Sequence, residues 1–159
     1  MLQRIQTLFL FGVVLISIAL YFLPFSEKAS TDAVTNEVTI HTLKLNTIAV
    51  LKAGVPEQIA GNNYVLLLMD LLILALTAYT IFQYKNRPLQ IRMCMLGGLL
   101  TTVFLVLVFF YSEELEPAND RAHYLAGVYL LAVEIILFLA ARRFIRKDEM
   151  LVRSADRIR

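Results

Sequence analysis

Four stretches of mostly apolar residues dominate the chain, and polar segments separate them. They cover residues 5–23, 65–84, 91–111 and 122–141. At a rise of about 1.5 Å per residue, a helix of this length crosses a hydrocarbon core roughly 30 Å thick. The pattern therefore predicts an all-α membrane protein, built as a four-helix transmembrane bundle.

The composition of the chain supports this prediction. Of its 159 residues, 58% are hydrophobic and only 18% are charged, and the mean hydropathy is +0.67. Soluble domains have about 45–50% apolar and about 25% charged residues. The single cysteine excludes an internal disulfide. The first apolar stretch is followed by no small-residue cleavage pattern, so we expect it to be retained as an anchor rather than removed as a signal peptide.

The basic residues are unevenly distributed between the loops. Eleven of the 15 lysines and arginines lie before the first stretch, at the turn between the second and third, or in the tail 142–159. Short cytoplasmic loops carry an excess of these residues. The bias predicts a multi-pass membrane protein with both termini and the middle turn in the cytoplasm.

The outer loop 24–64 carries a different pattern from the four stretches. Residues 38–45 and 47–51 are β-branched or apolar in near-alternation, and glycine, proline and asparagine follow them. This predicts two or three short strands. Isolated hairpins are marginal in water, so the strands should rest on the outer helix ends as a small β-rich extracytoplasmic cap. The chain then forms one membrane domain, 1–159, whose basic tail continues the fourth helix.

Polar residues recur along the second stretch at a helical spacing. Asn63, Asp70, Thr77 and Tyr84 fall at intervals of seven and share one helix face to within about 20° per heptad. Charged and polar groups inside a membrane face the bundle interior or a water-filled cavity. Asp70, Thr77 and Tyr84 are therefore candidate intramembrane polar sites.

The fourth stretch contains a second acid. Glu134 shares a face with His123 and Gly127, since 11 residues make about three turns. Taking the predicted helix ends, Asp70 lies about 9 Å and Glu134 roughly 18 Å below the outer boundary. This offset predicts two separate sites rather than a carboxyl pair. Ser17 or Tyr129 would share the depth of Asp70, and Thr101 or Thr102 that of Glu134.

The apolar stretches that contain Asp70 and Glu134 carry no lysine or arginine, so neither acid has a cationic partner within its own stretch. Because a buried charge without a partner is costly, we expect both carboxyls to be protonated hydrogen-bond donors. Two hypotheses for the role of the acids remain open. The acids are stations of a proton or cation path with His123 near its outer mouth, or they are hydrogen-bond partners that hold helices together.

Small residues and the cytoplasmic turn suggest two further contacts. Cys94, Gly98 and Thr102 follow an i, i+4, i+8 pattern that lets a neighbouring helix approach closely.

At the turn, glutamines could join the N-terminus to the basic residues; these are Gln3, Gln6 and Gln90. Four arginines are candidate contacts for a cytoplasmic partner or an anionic lipid headgroup, unless they are only a topological collar. They are Arg87, Arg92, Arg153 and Arg157.

Three segments resemble a known family when taken together. They are MLQRIQ at residues 1–6, YKNRPLQIRMC at 84–94 and LVRSADRIR at 151–159. With the same layout of four apolar stretches, the whole chain resembles an uncharacterised membrane-protein family of Bacteroidota, domain of unknown function 4293. The resemblance implies a bacterial inner membrane, and it implies no activity, cofactor or catalytic residue.

The sequence contains no P-loop, no H-E-x-x-H, no G-x-S-x-G and no zinc-ligand spacing. We therefore expect no enzymatic activity, no cofactor, no metal and no nucleic-acid partner. The favoured hypothesis is a non-catalytic accessory or scaffold subunit in the lipid bilayer, bound to a membrane-protein partner or a second copy. The alternative is a small transporter or proton-coupled channel that uses Asp70 and Glu134.

Overall fold

The computed structural model describes residues 3–31, 38–52, 58–84, 86–115 and 122–156. These residues form four helices and five strands. In chain order they are α1 (Gln3–Leu20), β1 (Ser26–Thr31), β2 (Val38–Leu43), β3 (Thr47–Lys52), β4 (Gln58–Asn62), α2 (Tyr64–Phe82), α3 (Arg87–Glu114), β5 (His123–Tyr124) and α4 (Ala126–Asp156).

The four helices pack side by side around one apolar core. Helix α4 packs against α1 and α3, and α2 packs against the same two helices. Leu10, Ile73, Phe104 and Phe138 are fully buried between them. Helices α3 and α4 approach closely at Gly97, where an added Cβ would lie 2.5 Å from the Phe138 ring. The predicted small-residue contact is thus centred on Gly97, with Gly98 at its edge and Thr102 exposed.

The two ends of the helix layer differ. At one end, called here the turn end, α1 begins, α2 turns into α3, and the second half of α4 arrives. The Phe9 and Phe144 rings stack there at 5.3 Å, and Arg87 pairs with Asp148 at 3.2 Å. At the other end, called the sheet end, the strands lie on the helices. Proline in the first turn of α3 suits a helix start, because its missing N–H has no partner to lose.

The strands form one antiparallel sheet in the order β4-β3-β2-β1-β5. A tight turn links β2 to β3, where the Lys44 N–H donates to the Thr47 carbonyl. Strand β1, which lies between β2 and β5, contacts α3, since the Ser26 and Ser112 hydroxyls lie 2.7 Å apart. β5 adds two residues to β1 just before α4 starts, which fixes the position of that helix on the sheet.

A lysine is buried where the sheet meets α3. Lys28 is only 2% exposed, and its Nζ donates to the Glu113 carbonyl at 3.0 Å and the Leu115 carbonyl at 3.1 Å. The last carbonyls of a helix have no partner within the helix, and they carry partial negative charge. Because α3 has no basic residue in its last turn, Lys28 supplies the positive charge from the sheet.

The predicted fold class is wrong. The prediction was an all-α four-helix transmembrane bundle with a small β-rich cap, whereas the described residues combine four helices with a five-stranded antiparallel sheet. Among those residues, only α2 and α3 are long and apolar enough to cross a membrane, with mean hydropathies of 2.3 and 2.5. The apolar part of α1, Gln6–Leu20, is shorter. Helix α4 starts at Ala126 and contains Glu134, Arg142 and Arg143, so its apolar run is interrupted by charge.

Candidate functional site

The two buried acids lie in one cluster around a serine. Ser17 comes from α1, Asp70 from α2 and Glu134 from α4. The Ser17 hydroxyl lies 3.5 Å from Glu134 Oε1 and is also within hydrogen-bonding reach of the Asp70 carboxyl. The two carboxyls are close enough for their charges to interact. One hydroxyl therefore joins two acids from three helices.

The cluster is buried and incompletely hydrogen-bonded. Asp70 is 5% exposed, while Ser17 and Glu134 are almost completely buried. Asp70 Oδ1 and Glu134 Oε2 have no hydrogen-bond partner in the described part of the chain. Nor does any described lysine or arginine pair with either carboxyl. Since more than nine in ten buried polar groups are normally paired, two orphaned oxygens in one cluster require an explanation.

The expectation of two separate acidic sites is wrong, and the cause is the start of α4. That helix begins at Ala126, four residues later than predicted, because residues 123–124 belong to β5. Glu134 therefore lies eight residues inside its helix and Asp70 six residues inside α2. The remaining offset of two residues is about 3 Å along the axis, which a single Ser17 hydroxyl can bridge.

The cluster reaches the surface through a groove between α1 and α2. The groove has a volume of about 250 Å³, and Ser17 and Asp70 form its polar part. Its other walls are apolar: Ile18, Tyr21, Phe22, Leu67, Leu71 and Leu74. Glu134 lies behind Ser17, away from the groove. Through this groove, a small polar molecule or a proton has a short path from the surface between α1 and α2 to the two acids.

Buried polar side chains continue from the cluster toward the turn end. Thr77 and Thr80 are fully buried on the same side of α2 as Asp70, and each hydroxyl donates to the carbonyl four residues earlier. Gln90 of α3 donates from Nε2 to the Thr80 carbonyl at 3.2 Å. From Asp70 to Thr77 is about 10 Å along the helix, a gap that one or more waters would have to fill in a continuous path.

A larger cavity lies at the turn end, between α1 and the start of α3. It has a volume of about 500 Å³ and brings together Gln6, Tyr84, Arg87 and Gln90. Gln6 and Gln90 line the same cavity, and the side chain of Gln3 lies outside the described residues, so the predicted joining of the N-terminus to the turn by glutamines stays a prediction. Arg87 joins the turn to α4 through its ion pair with Asp148. Tyr84 lies at this cavity and is 58% exposed, so it does not continue the buried face of Asn63, Asp70 and Thr77.

The remaining predicted residues lie apart from both sites. His123 is exposed in β5, opposite Glu27, and is not on the face of α4 that carries Glu134. Tyr129 is exposed, and Thr101 donates to its own helix at the Gly97 carbonyl. Arg92 is exposed on α3. The side chain of Arg153, and Arg157 altogether, lie outside the described residues.

From the sequence, Ser17 was one of two residues expected at the same depth in the membrane as Asp70. The burial of Lys28 was not predicted. The signal for Ser17 was its polarity within an apolar stretch. The sequence around Lys28 gave no comparable signal. The carbonyls that its ammonium group binds are at the end of α3, more than 80 residues away in the chain.

The side chains of the Ser17–Asp70–Glu134 cluster offer only oxygen atoms, and no described lysine or arginine pairs with either carboxyl. Two carboxyls and one hydroxyl can share and exchange a proton, since each can donate when protonated and accept when not. No group of three histidine, cysteine, aspartate or glutamate side chains that could hold a metal ion occurs among the described residues.

Comparison with curated proteins gives no match. A family model does match, and it covers residues 2–158. The chain therefore belongs to the family described as Domain of unknown function (DUF4293).

Proposed function

We propose that this chain is a membrane protein in which Asp70 and Glu134 bind and exchange a proton, as part of a proton-coupled transport step. The observation that carries the proposal is the Ser17 hydroxyl between two buried carboxyls, each of which keeps an oxygen without a hydrogen-bond partner among the described residues. A purely structural cluster would be expected to pair its oxygens, because an unsatisfied buried acceptor is destabilising. An acid inside a membrane span, as Asp70 would be in α2, is rare and serves most often in an ion or proton pathway.

The proposal places α2 and α3 across the bilayer as a helical hairpin. Both have the length and hydropathy for a span, and both expose large apolar side chains. The turn end would face the cytoplasm, since the basic residues of α3 and α4 gather there, as the positive-inside bias requires. The sheet would then face the extracytoplasmic side of a bacterial inner membrane, with Asp70 nearer to that side.

Proton exchange requires access from both sides of the cluster. The groove at Ser17 and Asp70 extends past the end of α1 to Tyr21 and Phe22 and so supplies an approach from the sheet end. The buried Thr77, Thr80 and Gln90 lead from the cluster toward the cavity at the turn end. This combination raises the transport hypothesis above the accessory-subunit hypothesis that the sequence alone favoured, because the acids form one site rather than two.

The test uses purified protein in liposomes that contain a pH-sensitive dye, with a potassium gradient and valinomycin to set the membrane potential. We expect potential-driven proton uptake by the wild type and at least about 100-fold slower uptake for Asp70→Asn and Glu134→Gln, the size of effect common for a lost proton-transfer group. The matched control is Glu114→Gln, an exposed acid at the end of α3, which should behave as the wild type.

Infrared difference spectra across a pH change provide the second readout. The C=O band of a protonated carboxyl should be lost or shifted in Asp70→Asn and Glu134→Gln and unchanged in Glu114→Gln. If the wild type shows no proton uptake above empty liposomes and no such band, the proposal is wrong. A band without uptake would also contradict it, since the shared proton would then only hold the helices together.

An accessory subunit is the second candidate, and one observation favours it. Leu51 and Ile59 are exposed neighbours on one face of the sheet, because Ile59 pairs with Ala49, two residues before Leu51. β4 is also an edge strand of the described sheet, and an exposed edge can pair with another chain. A stoichiometric partner lost on Ile59→Asp but kept on Gln58→Asp would support this function.

A further inference from the structure

The cavity at the turn end has features of a binding site that the proton cluster does not explain. It is lined by Gln6, Arg87 and Gln90 on its polar side and by Leu8 and Phe11 on its apolar side. Leu8 and Phe11 are more than half exposed on the outer surface of α1. The cavity therefore joins a polar interior to an apolar surface, which is the arrangement that an amphiphile requires.

Hydrogen-bond donors converge on the polar side. Gln6 is 5% exposed, and its Nε2 has no hydrogen-bond partner among the described residues. Arg87 is the first residue of the 28-residue helix α3, and the N-cap residue Asn86 makes no side-chain cap. The N-terminus of a helix carries partial positive charge and exposes N–H groups, both of which favour an anion. An orphaned amide, a guanidinium and a helix N-terminus together select an acceptor-rich anionic group.

One acid is already present next to the cavity. The Arg87 guanidinium lies 3.2 Å from the Asp148 carboxylate, so part of its charge is compensated. An arginine presents five N–H donors in a planar fork, and one carboxylate does not use them all. The neighbouring surface at this end contains further cations, among them Arg92, Arg143 and Arg146, which are exposed. Anionic lipids of the inner leaflet gather at such basic segments.

We propose that this cavity binds the phosphate headgroup of an anionic phospholipid, with Arg87 and Gln6 as its donors and an acyl chain along Leu8 and Phe11. The size agrees with this occupant, since a volume of about 500 Å³ exceeds that of a bare phosphate and suits a headgroup with the start of its chains. The proposal rests on the membrane placement in the proposed function, and it does not depend on proton exchange at the acid cluster.

The test is a titration of delipidated full-length protein in detergent with phosphatidylglycerol, followed by native mass spectrometry. We expect one tightly bound lipid per chain. Arg87→Gln and Gln6→Leu should each weaken its binding about ten-fold, since each removes a donor to a charged group. The matched control is Arg146→Gln, which removes an equal charge from an exposed position at the same end and should change binding less than about two-fold.

Asp148→Asn separates a binding role of Arg87 from a structural one. If Arg87 serves the lipid phosphate, removing the competing carboxylate should tighten binding about three-fold, because it removes like-charge repulsion. If the Arg87–Asp148 pair only holds α3 to α4, both variants should weaken binding equally, and the proposal is overturned. Circular dichroism of each variant shows whether it is folded, and Gln6→Leu leaves the ion pair intact if Arg87→Gln does not fold.

Two further arms identify the source of the anion. Inorganic phosphate should not displace the lipid at equal concentration, and phosphatidylcholine should bind more weakly than phosphatidylglycerol. Displacement by phosphate alone would overturn the lipid assignment, as would an Arg146→Gln effect as large as that of Arg87→Gln. Asp70→Asn should leave lipid binding unchanged, so failure of the proton proposal and failure of this one are distinguishable.

Discussion

The molecule buries charge in two places, and the two places differ in how the charge is satisfied. At the sheet end, Lys28 donates two hydrogen bonds to carbonyls at the end of α3, within 3.1 Å. In the helix layer, Asp70 and Glu134 share one serine hydroxyl, and each keeps an oxygen without a described partner. Burial is nearly complete in both places.

The difference separates a structural use of buried charge from a functional one. A buried cation on the carbonyls of a helix end stabilises the fold, because the charge and the helix dipole satisfy each other. A buried acid pair with open oxygens does not stabilise the fold to the same extent, since desolvation of the carboxyls is not recovered in hydrogen bonds. Removing Lys28 should therefore cost stability, and removing an acid should cost activity.

The largest effect is expected at the sheet end. Lys28→Met keeps the length and apolar stem of the side chain but leaves two α3 carbonyls unpaired. We expect the free energy of unfolding to fall by about 3 kcal/mol, from two hydrogen bonds to a charged group. Unfolding of the protein in mixed detergent micelles measures this loss. Lys52→Met, at an exposed position in β3, is the control and should change stability by less than about 0.5 kcal/mol. An equal effect of the two variants would mean that Lys28 is not specially stabilising.

An intermediate effect is expected where the sheet meets α4. The Gly127 N–H donates to the Pro24 carbonyl, and an added Cβ would lie 2.8 Å from that oxygen and 2.7 Å from the Phe25 ring. Gly127→Ala should therefore destabilise the protein by about 2 kcal/mol through overpacking. It should also shift α4 relative to α1 and lengthen the contact between Ser17 and Glu134.

The control for Gly127→Ala is Gly61→Ala in β4, where an added Cβ has nothing within 4 Å. Thermal unfolding of both variants tests the stability, and proton uptake in liposomes tests the acid cluster. A Gly127→Ala protein that is as stable and as active as the Gly61→Ala protein would show that the start of α4 does not position Glu134.

The positions of the helices could be predicted from the sequence far better than their ends. Apolar runs of 20 residues identify helices because the periodicity and length are local properties. Helix ends depend on the contacts of distant residues. The start of α4 is set by pairing of His123 with Glu27 and by the close approach of Gly127 to Pro24, both about 100 residues earlier in the chain. A four-residue error there was enough to separate Glu134 from Asp70.

The polar face of α2 was also a local property: Asn63, Asp70 and Thr77 of the predicted heptad set are buried, whereas its fourth member, Tyr84, is exposed. The number of strands in the sheet was underestimated, because strand pairing depends on residues that are far apart in the sequence. Its pairing joins β1 to β5 across some 95 residues, and no local pattern in a two-residue strand predicts that contact. The buried Lys28 belongs to the same class, since lysine is almost never fully buried without a partner that only the fold can supply.

The smallest effect on stability is expected at Glu134. Glu134→Gln keeps the shape of the side chain, retains an oxygen for the Ser17 hydroxyl and replaces the exchangeable carboxyl proton by an amide. Because a protonated carboxyl and an amide are both neutral hydrogen-bonding groups of similar size, the free energy of unfolding should change by less than about 1 kcal/mol, with either sign. The measurement is the same micelle unfolding as for Lys28→Met.

This result is informative only beside the activity of the same variant. A Glu134→Gln protein that unfolds like the wild type but takes up protons at least about 100-fold more slowly would assign the cluster to function, because the loss then follows the exchangeable proton and not the stability of the fold. If Glu134→Gln instead loses more than about 2 kcal/mol, the open oxygen of Glu134 is satisfied in the membrane. The contrast with Lys28 would then disappear, and the acid cluster would be a second structural contact between α1, α2 and α4.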